Sequence, residues 1–425
     1  MIHAKRSTVA LAVAGLLCCH QALATDGYFQ TGFGVIQEGR GGAGVALPDD
    51  TFAAAINPAG LAWVGDRFDF GVTWFRPIRS GEITGNQLPP GYPDVNGVYS
   101  ANGQTNFYLP EIGYSHRFSD RLVLGAAIYG NGGMNTAYLT PIPLLGTTGL
   151  GVNLQQLFIS PAAAFRLNKH NSIGIAANLA GQQIAVTGLQ NFASPSYSLS
   201  PGNVTNRGYS TSIGGGVRIG WLADVGHGLS LGATWQSTTW MSKFNQYSGL
   251  FAQGGGFNIP ANFAGGAALK VHPKATLALD VERILYSEVK SIANSGANQA
   301  PLGAANGPGF GWQDITVIKS GIDLKASHTL TLRAGYNYST QAIPASQTFF
   351  NLLAPATVQQ HFSAGATWRF LEDKELSIAY VHAFEATLNG QNSIPPSAGG
   401  GNANLRMYQN SVGVGLGWNR GHQQN

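Results

Sequence analysis

Apolar and polar-or-small residues alternate with period two, segment after segment, from about residue 68 to the end of the chain. Successive side chains of a β-strand point to opposite faces, so this pattern gives each strand one apolar and one polar face. The last segment sets Val412, Val414, Leu416 and Trp418 against Ser411, Gly413, Gly415 and Gly417. Another sets Leu332, Ala334, Tyr336 and Tyr338 against Thr331, Arg333, Gly335 and Asn337, and a third sets Phe362, Ala364, Ala366 and Trp368 against His361, Ser363, Gly365 and Thr367. About fourteen such segments follow one another, starting near Phe68, Phe107, Arg121, Leu154, Ser172, Tyr209, Gly228, Ala261, Ala275, Gln313, Thr329, Val358, Glu375 and Met407.

The connections between segments alternate in length. Tight turns are expected at Ser119-Asp120, Lys169 to Asn171, Asp224 to His227, His272 to Lys274, Ala326 to His328 and Glu372 to Lys374. Between them fall polar stretches near 80–106, 132–152, 187–208, 242–260, 287–312, 341–357 and 389–406. A soluble β-sandwich has no reason to sort its connections this way, whereas outer-membrane barrels pair short periplasmic turns with long external loops. The expected fold is therefore all-β: a transmembrane antiparallel β-barrel of about fourteen strands. Only 10% of residues are charged, against about 25% in soluble domains. No run outside the first two dozen residues approaches the ~18 apolar residues of a membrane helix. Aromatics toward segment ends, among them Trp74, Tyr129, Trp221, Trp235, Trp240, Tyr286, Tyr338, Trp368 and Trp418, fit interfacial girdles. The net charge of +4 is too weak to suggest nucleic acid as a partner.

The N-terminus reads as an export signal. Lys5 and Arg6 precede an apolar run from Thr8 to Leu17, and Ala22-Leu23-Ala24 supplies a small-x-small cleavage pattern. Residues 1–24 are expected to be removed, and with them Cys18 and Cys19, which leaves no thiol for disulfides or metal. The barrel is expected over 66–419, and 420–425 form a short periplasmic tail after Trp418. The destination is the bacterial outer membrane, with its lipid, its lipopolysaccharide and the barrel-assembly machinery as partners. The ten histidines show no metal-ligand spacing, and no cofactor is expected.

Residues 25–65 do not alternate. They read Gly27-Tyr28-Phe29, then Gly39-Arg-Gly-Gly-Ala-Gly44, then Asp49-Asp50, then Asn57-Pro58-Ala59-Gly60-Leu61. The stretch is too small for a domain and too apolar for a free tail, and a lumen must be open or filled. In this order and spacing, the chain resembles the FadL family of outer-membrane channels for long-chain fatty acids and hydrocarbons. Later stretches carry the resemblance too: Leu332-Arg333-Ala-Gly-Tyr-Asn-Tyr, and Phe362-Ser-Ala-Gly-Ala-Thr-Trp followed by Tyr380-Val-His382.

The resemblance implies an N-terminal hatch (25–65) inside the barrel and a monomeric transporter for passive uptake of hydrophobic small molecules. Substrate would leave sideways through a gap made by an inward kink of the third strand, with the Asn57-Pro58-Ala59-Gly60 motif packed near it. Here that strand runs Leu122 to Tyr129 and meets Gly130-Asn131-Gly132-Gly133; glycines weaken pairing and permit a bend, or they open the next loop. Long-chain fatty acids are the first choice of substrate, and aromatic or aliphatic hydrocarbons the alternative. Arg333, in a family stretch, and Lys319, on an apolar-walled face, are the candidate lumen ligands for a carboxylate, with Arg218 and Lys270 also in inward phase. Asp280, Glu282 and Asp323 are the acids available to neutralise them.

Two other classes were weighed. His361-x-Ser363 is similar to the arrangement of an outer-membrane phospholipase, but its phase turns the pair away from lipid. A surface receptor or adhesin on long loops has no need of a hatch.

Overall fold

The computed structural model describes residues 26–419; the expected signal peptide and the tail after Trp418 lie almost wholly outside them. Fourteen antiparallel strands close into a barrel. In chain order they are β1 (Arg67–Thr84), β2 (Phe107–Arg117), β3 (Leu122–Pro141), β4 (Gly149–Arg166), β5 (Asn171–Thr187), β6 (Ser210–Gly226) and β7 (Leu229–Gln236). The second half comprises β8 (Asn262–His272), β9 (Ala275–Ile284), β10 (Ile315–Lys325), β11 (Leu330–Ser339), β12 (Gln360–Arg369), β13 (Lys374–Leu388) and β14 (Asn402–Asn419). Each strand pairs with its neighbours in sequence, and β14 returns to β1 from Arg67↔Asn419 to Thr84↔Asn402, so the sheet closes on itself. Two short strands, Gly97–Ser100 on β1 and Trp240–Met241 on β6, extend the wall at the long-loop end.

The alternation places side chains as the pattern requires. Phe68, Phe70, Ile173, Ile175, Leu277, Leu279, Phe362 and Trp368 are exposed on the outside. Their chain neighbours Asp69, Ser172, Ala278, Asp280, His361 and Thr367 are buried inside. Among the described residues no helix is long and apolar enough to cross a membrane.

Two expectations need correction. The stretch near 132–152 is not a long loop: β3 runs on to Pro141 and β4 begins at Gly149, leaving seven residues between them, 142–148. Tyr129 and Tyr286 are not girdle residues either, since both are fully buried inside the barrel, while Trp221, Trp235, Trp240, Tyr338 and Trp368 do face outward.

Residues 26–66 fill the lumen as short helical turns, Val35–Glu38, Ala53–Ile56, Pro58–Gly60 and Leu61–Val64, nearly all buried. Inward carboxylates of the wall hold them. Glu111 accepts from the Gly34 and Val35 amides at 2.9 and 3.1 Å, and Asp280 accepts from those of Gly44 and Val45 at 2.7 and 2.9 Å. Asp69 accepts from the Thr51 amide and hydroxyl at 3.0 and 2.7 Å. Arg40, fully buried, bridges Asp49 at 2.7 Å and Asp323 of β10 at 3.0 Å. The wall is glycine at its closest approach: a Cβ at Gly321 or Gly335 would collide with Arg40.

Candidate transport path

The third strand does not end at Tyr129. It continues through Gly130-Asn131-Gly132-Gly133, and its register with β4 slips by one residue between Gly130 and Gly132, a bulge at Asn131. From Tyr129 to Thr136 every residue is buried, so the alternation of a wall strand is lost and both faces are covered by protein. On its other side, β3 pairs with β2 only from Ile112↔Ile128 to Arg117↔Val123. Phe107 to Glu111 therefore pair with β1 alone. Above this interruption the wall is rejoined where the Gly103 amide donates to the Ala137 carbonyl at 2.9 Å. Arg79 fastens the same corner, donating to the Asn135 carbonyl at 2.6 Å and also to the Gln104 carbonyl.

The backbone groups that β3 turns away from β2 need partners, and the start of the hatch supplies them. The Gln30 amide donates to the Asn131 carbonyl at 3.3 Å, and the Gly133 amide donates to the Tyr28 carbonyl at 3.0 Å. A Cβ at Gly132 would strike the Tyr28 carbonyl, so glycine is required for this approach. Tyr28 then begins an aromatic column. Its ring lies 5.3 Å from Tyr286, Tyr286 lies 5.1 Å from Trp312, and Trp312 lies 6.4 Å from Phe310. Burial pushes the Tyr286 hydroxyl well above its ordinary pKa, so it stays a neutral donor to the Asp26 carbonyl at 2.6 Å.

Phe310 lines a narrow apolar cavity of about 30 Å³ at the long-loop end, with Val152, Val186, Phe251, Phe350 and Leu353 around it and no charged side chain. Sequence reasoning missed Phe310 and Trp312. Both lie between β9 and β10 in a loop without periodicity, and the run Gly309-Phe-Gly-Trp312 in an otherwise polar stretch was the available signal.

The residues expected to form the site are not gathered in one place. Asn57 donates to the Val45 and Trp221 carbonyls at 2.8 and 2.9 Å, and Ser172 donates to the Ala59 carbonyl at 3.0 Å. Asn57-Pro58-Ala59-Gly60 thus packs on β5 and β6, where a Cβ at Gly174 or Gly220 would collide with it, rather than on Gly130 to Gly133. Arg333 and Lys319 do point inward, but both already hold carboxylates. Arg333 meets Asp323 at 3.1 Å, and Lys319 meets Glu282 at 2.8 Å and Asp26 at 3.7 Å. Arg333 and Lys270 line a separate polar cavity of about 410 Å³ at the short-turn end, together with Arg67, Lys274, Asp323 and Glu375. Arg218 is buried against the Ile56 carbonyl at 3.0 Å and the Gln236 side chain at 2.6 Å. His361 and Ser363 do not form a pair, since the Ser363 hydroxyl accepts from the Gly41 amide at 2.7 Å and His361 has no hydrogen-bond partner among the described residues. No cluster of metal-ligating side chains occurs among the described residues.

A closed barrel, a lumen filled from the N-terminus and a wall interrupted beside a kinked third strand narrow the comparison to one architecture. The sequence profile of the outer membrane protein transport proteins (OMPP1/FadL/TodX) matches residues 20–420. The chain belongs to this family. It is an outer-membrane transport channel for hydrophobic substrates and not an enzyme.

Similar solved structures include the Pseudomonas putida toluene transporter TodX, at 16% identity and a TM-score of 0.70 over 92% of this chain and 100% of that one. A Pseudomonas aeruginosa FadL homologue shares 14% identity with a TM-score of 0.69 over 92% and 99%. The Ralstonia pickettii toluene transporter TbuX shares 16% identity with a TM-score of 0.64 over 92% and 98%. At these identities the likeness is one of fold. No curated protein sequence matches the chain.

Proposed function

We propose that this channel passes uncharged hydrophobic molecules from the apolar region around Phe310 at the long-loop end to the wall interruption between β2 and β3, and releases them sideways into the membrane. Residues 25–65 act as the hatch, and Gly130, Asn131, Gly132 and Gly133 form the rim of the gap. The observation that carries this reading is the interruption itself, which lies at the foot of the aromatic column. An apolar solute gains roughly 25 cal/mol per Å² of surface removed from water, so sideways release needs no energy source. The short-turn end offers a charged cavity and no such gain.

The sequence put long-chain fatty acids first. The preference for uncharged solutes rests on the apolar cavity having no cation in its lining and on Lys319 and Arg333 both being neutralised. A fatty-acid reading keeps one support: Arg79, buried at the upper corner of the interruption, has only uncharged hydrogen-bond acceptors among the described residues. The names of the toluene transporters among the structural neighbours agree with the first reading.

Trp312, packed between Phe310 and Tyr286, is a built-in reporter. Titrating the purified barrel with toluene should change its fluorescence saturably, and the change should vanish in Trp312→Phe. Saturable binding of oleate with toluene inert would transfer the assignment to fatty acids. A folded barrel that answers to neither would remove the transport path drawn here.

A further inference from the structure

We propose that a small cavity between the hatch and the wall strands β1, β2 and β12 to β14 is a subsite for the hydroxyl or carbonyl end of an uncharged hydrophobic molecule, with His361 as its hydrogen-bonding group. This deepens the transport reading above and rests on it. The cavity lies between the hatch and the wall and measures about 30 Å³. That is room for one small polar group, since a single water needs ~10–15 Å³ by the same measure, but not for a whole ligand.

Two of its lining residues, one on the wall and one on the hatch, carry unsatisfied polar atoms. His361 is 1% exposed and, among the described residues, neither ring nitrogen has a hydrogen-bond partner; the Thr31 hydroxyl, 5% exposed, has none among them either. A buried polar group left unpaired costs ~1–3 kcal/mol, whereas the wall side chains Glu111, Asp69, Asp280 and Ser363 are spent on amides of the hatch. A neutral imidazole offers one donor and one acceptor, which matches a hydroxyl fully and a carbonyl on its donor side.

The rest of the lining fixes the ligand's charge and direction. Apart from His361, no basic side chain borders the cavity, and Glu38, bonded to the Thr73 hydroxyl at 2.9 Å, does. A carboxylate would find an acid there instead of a counter-ion, so the ligand is uncharged. Phe75 and Leu109 form the apolar side and pack with Phe107. Phe107 and Leu109 belong to the part of β2 that has no β3 partner. A molecule with its polar end at His361 therefore has its apolar body along these three residues, beside the interruption in the wall. Phenols and medium-chain alcohols or ketones have this form; toluene and alkanes lack the polar end. A plain hydrocarbon would pass the subsite and leave the imidazole unpaired.

The test compares p-cresol with toluene, two molecules that differ by one hydroxyl. Initial uptake of each is measured in cells carrying the full-length barrel, and the cresol-to-toluene ratio is taken for wild type, His361→Phe, His361→Asn and Thr31→Val. Loss of one hydrogen bond to the ligand should lower the ratio by about fivefold in His361→Phe, with His361→Asn between it and wild type and Thr31→Val shifted the same way. A ratio equal to that of wild type in the assembled variants overturns the subsite. Should His361→Phe fail to assemble, an unchanged ratio in Thr31→Val and His361→Asn does so equally. Wild-type cells that take up neither compound above the empty-cell background would overturn the transport reading instead, and the subsite with it.

Discussion

The two ends of the lumen are built from different chemistry. At the long-loop end, Phe244, Phe251, Phe257, Phe310, Trp312 and Leu353 make an interior of rings and aliphatic chains. At the short-turn end, Arg67 meets Asp69 at 2.8 Å and also Glu375, and Arg40 joins Asp49 to Asp323, which in turn holds Arg333. On the route proposed above, a hydrophobic solute moves downhill through the first region and meets a barrier of desolvated, mutually paired charges at the second. The wall interruption lies at the boundary between them. On that proposal, the direction of transport is set by where the apolar interior stops, not by the width of the barrel.

The comparison breaks most completely if the exit is closed. Deleting Asn131 removes the bulge and restores a regular register between β3 and β4; hydrocarbon uptake by cells should fall to the empty-cell background while the barrel still shows its heat-modifiable migration on gels. Arg40→Ala attacks the other end. It leaves Asp49 and Asp323 without their shared cation, and removing one partner of a buried ion network costs ~3–5 kcal/mol. The hatch should loosen, read as a rise in ion conductance across planar bilayers. Phe310→Ala trims the apolar wall, and toluene affinity measured by Trp312 fluorescence should weaken about tenfold. Arg333→Gln should change hydrocarbon uptake the least, by about twofold or less, because its partner Asp323 keeps Arg40 and the side chain lies off the path. A large loss in that variant would put the short-turn end back on the route.

The fold was legible because period two is a local signal. Each strand start lies within a few residues of its expected place, β4 and β14 excepted, and all six tight turns stand where the polar breaks lie. The kink was not legible in the same way. Gly130 to Gly133 read equally as the start of a loop, and only the register with β4 and the loss of alternation through Thr136 reveal a strand covered on both faces. Arg333 and Lys319 were given the correct inward phase, but their partners depend on cross-strand register. Asp323 faces Arg333 across β10 and β11, and Lys319 reaches past the residue it faces, Asp280, to Glu282 two positions further along β9. No spacing along the chain announces either pair. The same holds for Phe310 and Trp312, which reach the lumen from a loop, where no period marks an inward face.

The seating of the hatch has a consequence for how the molecule is made. Its anchors come from β1, β2, β3, β5 and β6 through Asp69, Glu111, Asn131, Ser172 and Arg218, and from β9, β10 and β12 through Asp280, Asp323 and Ser363. The seam between β14 and β1 lies between these two groups. A chain still open at that seam can dock the hatch on early strands only, and the remaining anchors form as the later strands swing round. Plugging and closing then become one cooperative step, in which the N-terminal segment acts as the template that draws the two ends of the sheet together, and an unplugged ring has no reason to accumulate in the membrane on the way.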